Sequence, residues 1–302
     1  MRRNREGKVG TGGFRVWNIA ALCMLGLGAI MFAVGWFSAP FKSENFNMTI
    51  NNRVIVEAGE YEYDDRWDFP DAADLARISV RADGGRIEIA PAPEGSPLSV
   101  RASNLKPAVD YGGRTLSVET EKSRRGAFGL GVRNRGRLAI LVPRGSPATL
   151  DVSLASGDLQ IEDVAADSLR LRMASGRACL SGLDFRDGSL DMSSGTAVVE
   201  DSTWRNLDIR KASGRIVIEN AKVGEGGTSI DSSSGSTILG FVGNPEDFRY
   251  DLRLGSGTLR VNGEKVTPGT GSPGSGVFDG GNAVHEIVVR QSSGTLLLDI
   301  EP

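Results

Sequence analysis

Serine stands directly before glycine at Ser156, Ser175, Ser194, Ser213, Ser234, Ser256 and Ser293. A hydroxyl in such a place can act as a nucleophile only with a base in hydrogen-bond reach. The chain offers one histidine, His285, near its last apolar segment and without an evident partner. Seven serines at intervals of 19, 19, 19, 21, 22 and 37 residues therefore read as turn residues. One histidine and two cysteines exclude a zinc site of clustered His and Cys and a disulfide framework. Cys23 and Cys179 lie in segments too different to pair, and no cofactor or metal is expected.

Gly126-Ala127-Phe128-Gly129-Leu130-Gly131 has the glycine density of a phosphate loop, but no helix follows it to hold an anion. Around it stand Arg124, Arg125, Arg133, Arg135 and Arg137, the candidate contact for an anionic partner such as an acidic glycan or lipid headgroup. Carboxylates are abundant yet spread, whereas glycoside cleavage needs two of them around one bond. The chain is accordingly expected not to be an enzyme; a carbohydrate-active solenoid enzyme is the second reading. A net charge of -3 speaks against nucleic acid as a partner.

These groups must be carried by the elements the rest of the sequence builds. Arg2, Arg3, Arg5, Lys8 and Arg15 precede Val16–Phe37, a segment whose one strongly polar residue is Asn18. As a helix it would measure about 33 Å, enough to cross a hydrocarbon core. Trp17, Trp36 and Phe37 suit the two interfaces. The basic flank predicts a single-pass protein of the cytoplasmic membrane, with its N-terminus inside and its C-terminal domain outside. A cleaved signal peptide ending near Ala33-Val34-Gly35 is the rival reading. The expected divisions are a cytoplasmic tail (1–15), a transmembrane helix (16–37), an irregular β region (38–149) and a regular repeat region (150–302).

The regular region repeats more than its dipeptide. Four residues before each serine lies Val152, Leu171, Leu190, Ile209, Ile230, Leu252 or Val289. Two and four residues after each glycine stand mostly aliphatic pairs, from Leu159 and Ile161 to Leu296 and Leu298. This period of two describes a strand with one buried face. Each unit of about 19 residues thus reads as strand, Ser-Gly corner, strand, and must stack on its neighbours to bury its apolar face. The fold predicted is all-β, a β-solenoid or rolled sheet. Ile78–Val80 with Gly85–Ile89 is a degenerate copy of the unit, and Leu116–Val118 and Leu138–Val142 read as further strands. Three residues before the serines, Arg172, Asp191, Arg210, Asp231 and Arg253 alternate in sign, as a row of stacked pairs would. The last unit ends two residues before the C-terminus, so an open final coil is expected. The Thr267–Asn282 loop, or a second copy of the chain, would cover it.

Leu138-Ala139-Ile140-Leu141-Val142-Pro143-Arg144-Gly145, then Leu150-Asp151-Val152 and the train of Ser-Gly units, resemble the bacterial putative-adhesin family of β-strand-repeat proteins of unknown function. The resemblance spans roughly 77–300. It implies a membrane-anchored structural or binding module of the cell envelope, with an envelope protein or glycan as partner, and supplies no site residues. A sensor of envelope stress is a further alternative.

Overall fold

The computed structural model describes residues 46–50, 54–58, 65–120, 136–145, 149–266, 275–281 and 283–302. Two compact units are distinguished, divided at residue 60. In the first, Phe46–Ile50 and Val54–Ala58 form an antiparallel hairpin. The expected membrane segment 16–37 lies outside the described residues; among those, no helix is long and apolar enough to cross a membrane.

The second unit is one rolled sheet of 20 strands. Its body is a stack of parallel coils, each with one strand before a corner and one after it, the corner being a Ser-Gly pair in seven of them. Numbered by position in the stack, coil 1 is Thr115–Thr120 with Arg137–Val142, and coil 2 is Arg77–Ala82 with Arg86–Pro91. Coil 3 is Thr149–Leu154 with Asp158–Glu162, and coil 4 is Ala165–Met173 with Arg177–Ser181. Coil 5 is Asp184–Met192 with Thr196–Glu200. The long strand Arg215–Ser232 closes coil 6, begun by Thr203–Lys211, and opens coil 7, completed by Ser236–Val242. Coil 8 is His285–Glu301, and Phe248–Val261 forms coil 9.

Two of these coils come from the stretch that reads as irregular in sequence. Their strands alternate as the others do, with Ile78, Val80, Ile87, Ile89, Leu116 and Leu138 fully or almost fully buried.

The corners explain the repeating dipeptide. Five of the seven serine hydroxyls reach one coil down: Ser156 Oγ donates to the Asp83 carbonyl at 2.9 Å and Ser194 Oγ to that of Ala174 at 3.1 Å, and Ser175, Ser213 and Ser234 do the same. Each glycine has positive φ and sits against the glycine below it; a Cβ on Gly235 would lie 2.0 Å from the Gly214 carbonyl oxygen. The opposite corner uses Asp163, Gly182, Asp201 and Asn220, also with positive φ, residue types that tolerate the left-handed region.

The stack does not follow the chain at its ends. Coil 8, the last in sequence, is inserted between coils 7 and 9, so both its edges are paired. The expected open end at the C-terminal coil is therefore corrected: the terminal coil is 248–261. Antiparallel strands lie on that coil, Ser275–Asp279 on Arg249–Arg253 and Glu264–Lys265 on Arg260–Val261. Part of the expected covering loop does fold back, but over coil 9. The other end is closed similarly, by Pro107–Gly112 and Leu98–Ser103, with Asp65–Phe69 outermost. Such antiparallel additions remove two long parallel edges that would otherwise invite pairing with another chain.

Candidate functional site

Just ahead of the Ser-Gly corners the outer surface of the stack is concave. Successive corners align, so the hollow continues from coil to coil as one groove of about 2150 Å³. At the spacing of parallel strands it is about 38 Å long. Three residues of each of coils 2 to 8 line it. Next to the corner run small residues, Ala155, Ala174, Ser193, Ala212, Ser233 and Ser292. On the other wall stands the row of charges. Between them lies a row with buried side chains: Leu154, Met173, Met192, Lys211, Ser232 and Gln291.

The charged row keeps the alternation read from sequence through Arg172, Asp191, Arg210 and Asp231, which are consecutive partners in register. The next partner is Arg290, where Arg253 is expected, because coil 8 intervenes. Arg253 then faces a like charge and turns to Asp251 at 2.7 Å.

Lys211 breaks the apolar character of the buried row. It is 3% exposed and has no carboxylate partner among the described residues. Its Nζ donates to the Ser236 carbonyl at 2.9 Å and to the Gly214 carbonyl and Thr237 Oγ1, both at 3.3 Å. The Thr237 hydroxyl in turn donates to Gln291 Oε1 at 2.7 Å, and Gln291 Nε2 donates to the Ser293, Gly235 and Thr295 carbonyls. One polar strand thus ties the corners of coils 6, 7 and 8. Burial pushes the Lys211 ammonium down to about 8. A base with a depressed pKa contributes stability that is present above its unfolded value, near 10.5, and lost as pH falls through about 8. Between those limits the wild type should gain about 3 kcal/mol on Lys211→Met, which lacks the titrating group. Urea unfolding of both proteins from pH 7.5 to 10.5 measures this; a constant difference would show that the ammonium is not held in a desolvated place.

Of the residues singled out from sequence, Arg137 and His285 do not line this groove. Arg124, Arg125, Arg133 and Arg135 lie outside the described residues. Arg137 lies on the outer face of the strands after the corner, where its guanidinium holds Glu88 at 2.6 Å. Arg86 shares that carboxylate and donates to Gln160. Arg137 thus closes an ionic ladder over coils 1 to 3. His285 Nδ1 lies 2.8 Å from the Gly224 carbonyl oxygen and its ring 4.9 Å from that of Phe248, a packing role. Burial pushes the Cys179 thiol up, away from the thiolate. Among the described residues no three His, Cys, Asp or Glu side chains converge as metal ligands.

The model of the Toastrack DUF4097 family matches residues 75–227 and 190–299. No curated protein matches the sequence. Among solved structures the chain is similar to a putative lipid binding protein from Parabacteroides distasonis, with 15% identity and a TM-score of 0.43. That match covers 78% of this chain and 95% of the other. It is also similar to a putative adhesin from the same organism at 10% identity, TM-score 0.39, over 77% and 94% of the two chains. A putative cell adhesion protein from Clostridium sporogenes matches at 14% identity, TM-score 0.32, over 78% and 97%.

Proposed function

From the membership of this chain in the Toastrack DUF4097 family, which covers most of its length, we propose an adhesin-like binding module that works without catalysis. Residues 16–37 anchor it in the cytoplasmic membrane and the β stack stands outside, as a structural or contact element of the envelope. The observation that carries the reading is the groove, open along its length and lined by a repeating set of side chains from successive coils. A surface of this kind grips an extended partner at many equivalent points. Asp191 and Asp231 stand in one row on one wall, each against an arginine, rather than on either side of a bond seated between them. That arrangement favours holding over cleavage.

Ala174→Trp with Ala212→Trp fills the groove at two exposed positions without touching the core. Cells displaying the full chain should adhere to a surface coated with envelope material of the same cells, and the doubly substituted chain should lose about nine-tenths of that adhesion. Its unfolding midpoint should stay unchanged. Adhesion unaffected by a filled groove would overturn the reading.

A further inference from the structure

The charged wall has a period of its own. From coil 2 to coil 8 it reads Arg81, Ser153, Arg172, Asp191, Arg210, Asp231, Arg290, each the register partner of the next. Arginine thus stands on every second coil, at steps of about 9.5 Å, twice the strand spacing. A hydroxyl or a carboxylate fills each step between. Arg81 and Arg172 have no ion-pair partner among the described residues, and Ser153 lies between them. Arg210 and Arg290 rest against Asp191 and Asp231 at 3.8 and 3.9 Å, Arg210 is also held by Asp208 at 2.7 Å, and all five side chains are more than a third exposed. Pairs this wet are worth little and exchange readily.

Resting on the groove as the contact surface, we infer that its ligand is a linear acidic polysaccharide with a carboxylate on alternate sugars, seated on Arg81, Arg172, Arg210 and Arg290. Guanidinium suits the task because it meets a carboxylate with two parallel hydrogen bonds. Asp191 and Asp231 supply the selection: a polymer charged on every sugar would bring its intermediate carboxylates against them. The small residues along the other wall leave room for the sugar rings, and their serine hydroxyls can meet sugar hydroxyls. An acidic peptide fits less well. The strands under the groove have both backbone edges engaged in the stack, so a peptide finds no edge there to extend. A nucleic-acid strand would need a stacking platform, and no aromatic residue among those described lines the groove.

The test uses the full chain in detergent micelles and four probes: hyaluronan, charged on alternate sugars; polygalacturonate, charged on every sugar; neutral dextran; and polyglutamate. Hyaluronan should bind about tenfold tighter than polygalacturonate and polyglutamate, and dextran should not bind. Arg81→Gln with Arg172→Gln should weaken hyaluronan about tenfold while circular dichroism and the unfolding midpoint stay unchanged. Asp191→Asn with Asp231→Asn should bring polygalacturonate to within about threefold of hyaluronan. Polygalacturonate binding as well as hyaluronan to the wild type, or hyaluronan indifferent to the arginine pair, would overturn the inference; tighter binding of polyglutamate would replace the sugar with a peptide. If no probe binds while the groove-filled chain still loses adhesion, the ligand is wrong and the contact surface stands. If the groove-filled chain keeps its adhesion, both fall.

Discussion

Alanine at position 195 should lower the thermal midpoint of the β stack by roughly 10 °C, whereas alanine at position 194 should change it by a few degrees at most. Gly195 has φ +108°, and a Cβ there would lie 2.4 Å from the carbonyl oxygen of Gly176. Holding a non-glycine residue in so sparsely populated a conformation costs about 1–3 kcal/mol. The clash adds to that, because the Gly176 carbonyl cannot swing aside. It accepts the Thr196 N–H at 2.9 Å, and Gly176 rests in the same way on Gly157. A total near 4 kcal/mol, at about 2–4 °C per kcal/mol for a domain of this size, gives the shift. Ser194→Ala loses one hydrogen bond between an exposed hydroxyl and the Ala174 carbonyl, about 0.5–1 kcal/mol. Thermal unfolding followed by circular dichroism distinguishes the two. Equal shifts would mean that the glycine column is not in close contact.

The same column shows why so much of the architecture is legible in the sequence. A corner that needs positive φ and no Cβ admits glycine alone, so every coil repeats it. The preceding serine, from Ser156 to Ser234, bonds the coil below and repeats with it. Alternation of Leu171, Met173, Ala178 and Leu180 follows from a strand with one buried face, and these side chains are indeed buried. The family resemblance drawn from Leu138–Gly145 and the Ser-Gly train holds, since that region lies within the Toastrack DUF4097 match.

Coil order is not legible, for a physical reason. The repeat fixes what a coil is, but any coil can stack on any other, since all present the same glycine, serine and aliphatic positions. Alternation of charge cannot choose either, because both Arg253 and Arg290 satisfy it after Asp231. Ser275-Gly276 looks like one more corner in the long interval between Ser256 and Ser293, yet Ser275–Asp279 is an antiparallel strand on coil 9. One signal was present: a last unit as apolar as Leu296-Leu297-Leu298-Asp299-Ile300 suits an interior coil better than an end. The groove shares this obscurity. Its arginine period emerges only when Arg81 is stacked on Ser153, two residues 72 positions apart in the chain. The arginines around Gly126–Gly131 are conspicuous because they are close in sequence, and the one that is described, Arg137, is engaged with Glu88.

Removing residues 283–302 should therefore abolish the fold, although a solenoid cut at its end would only be shortened. The deletion takes out coil 8, whose Ile287, Val289, Leu296 and Leu298 are fully buried. Each such side chain contributes about 1.5–3 kcal/mol, so the four together approach the whole stability of an ordinary domain. It also leaves coil 9 without its parallel neighbour and coil 7 with a bare edge on both of its strands. Thr237, deep in coil 7, loses the Gln291 side chain that accepts its hydrogen bond, leaving its hydroxyl donor without an acceptor. The expected result is a chain that accumulates as aggregate or is rapidly proteolysed. In any soluble remainder, the amides of Phe248–Val261 should exchange as freely as in an unfolded chain. A truncated protein that melts within a few degrees of the full chain, with those amides still protected, would mean that coil 9 packs directly on coil 7. The C-terminal strand would then belong at the end of the stack after all.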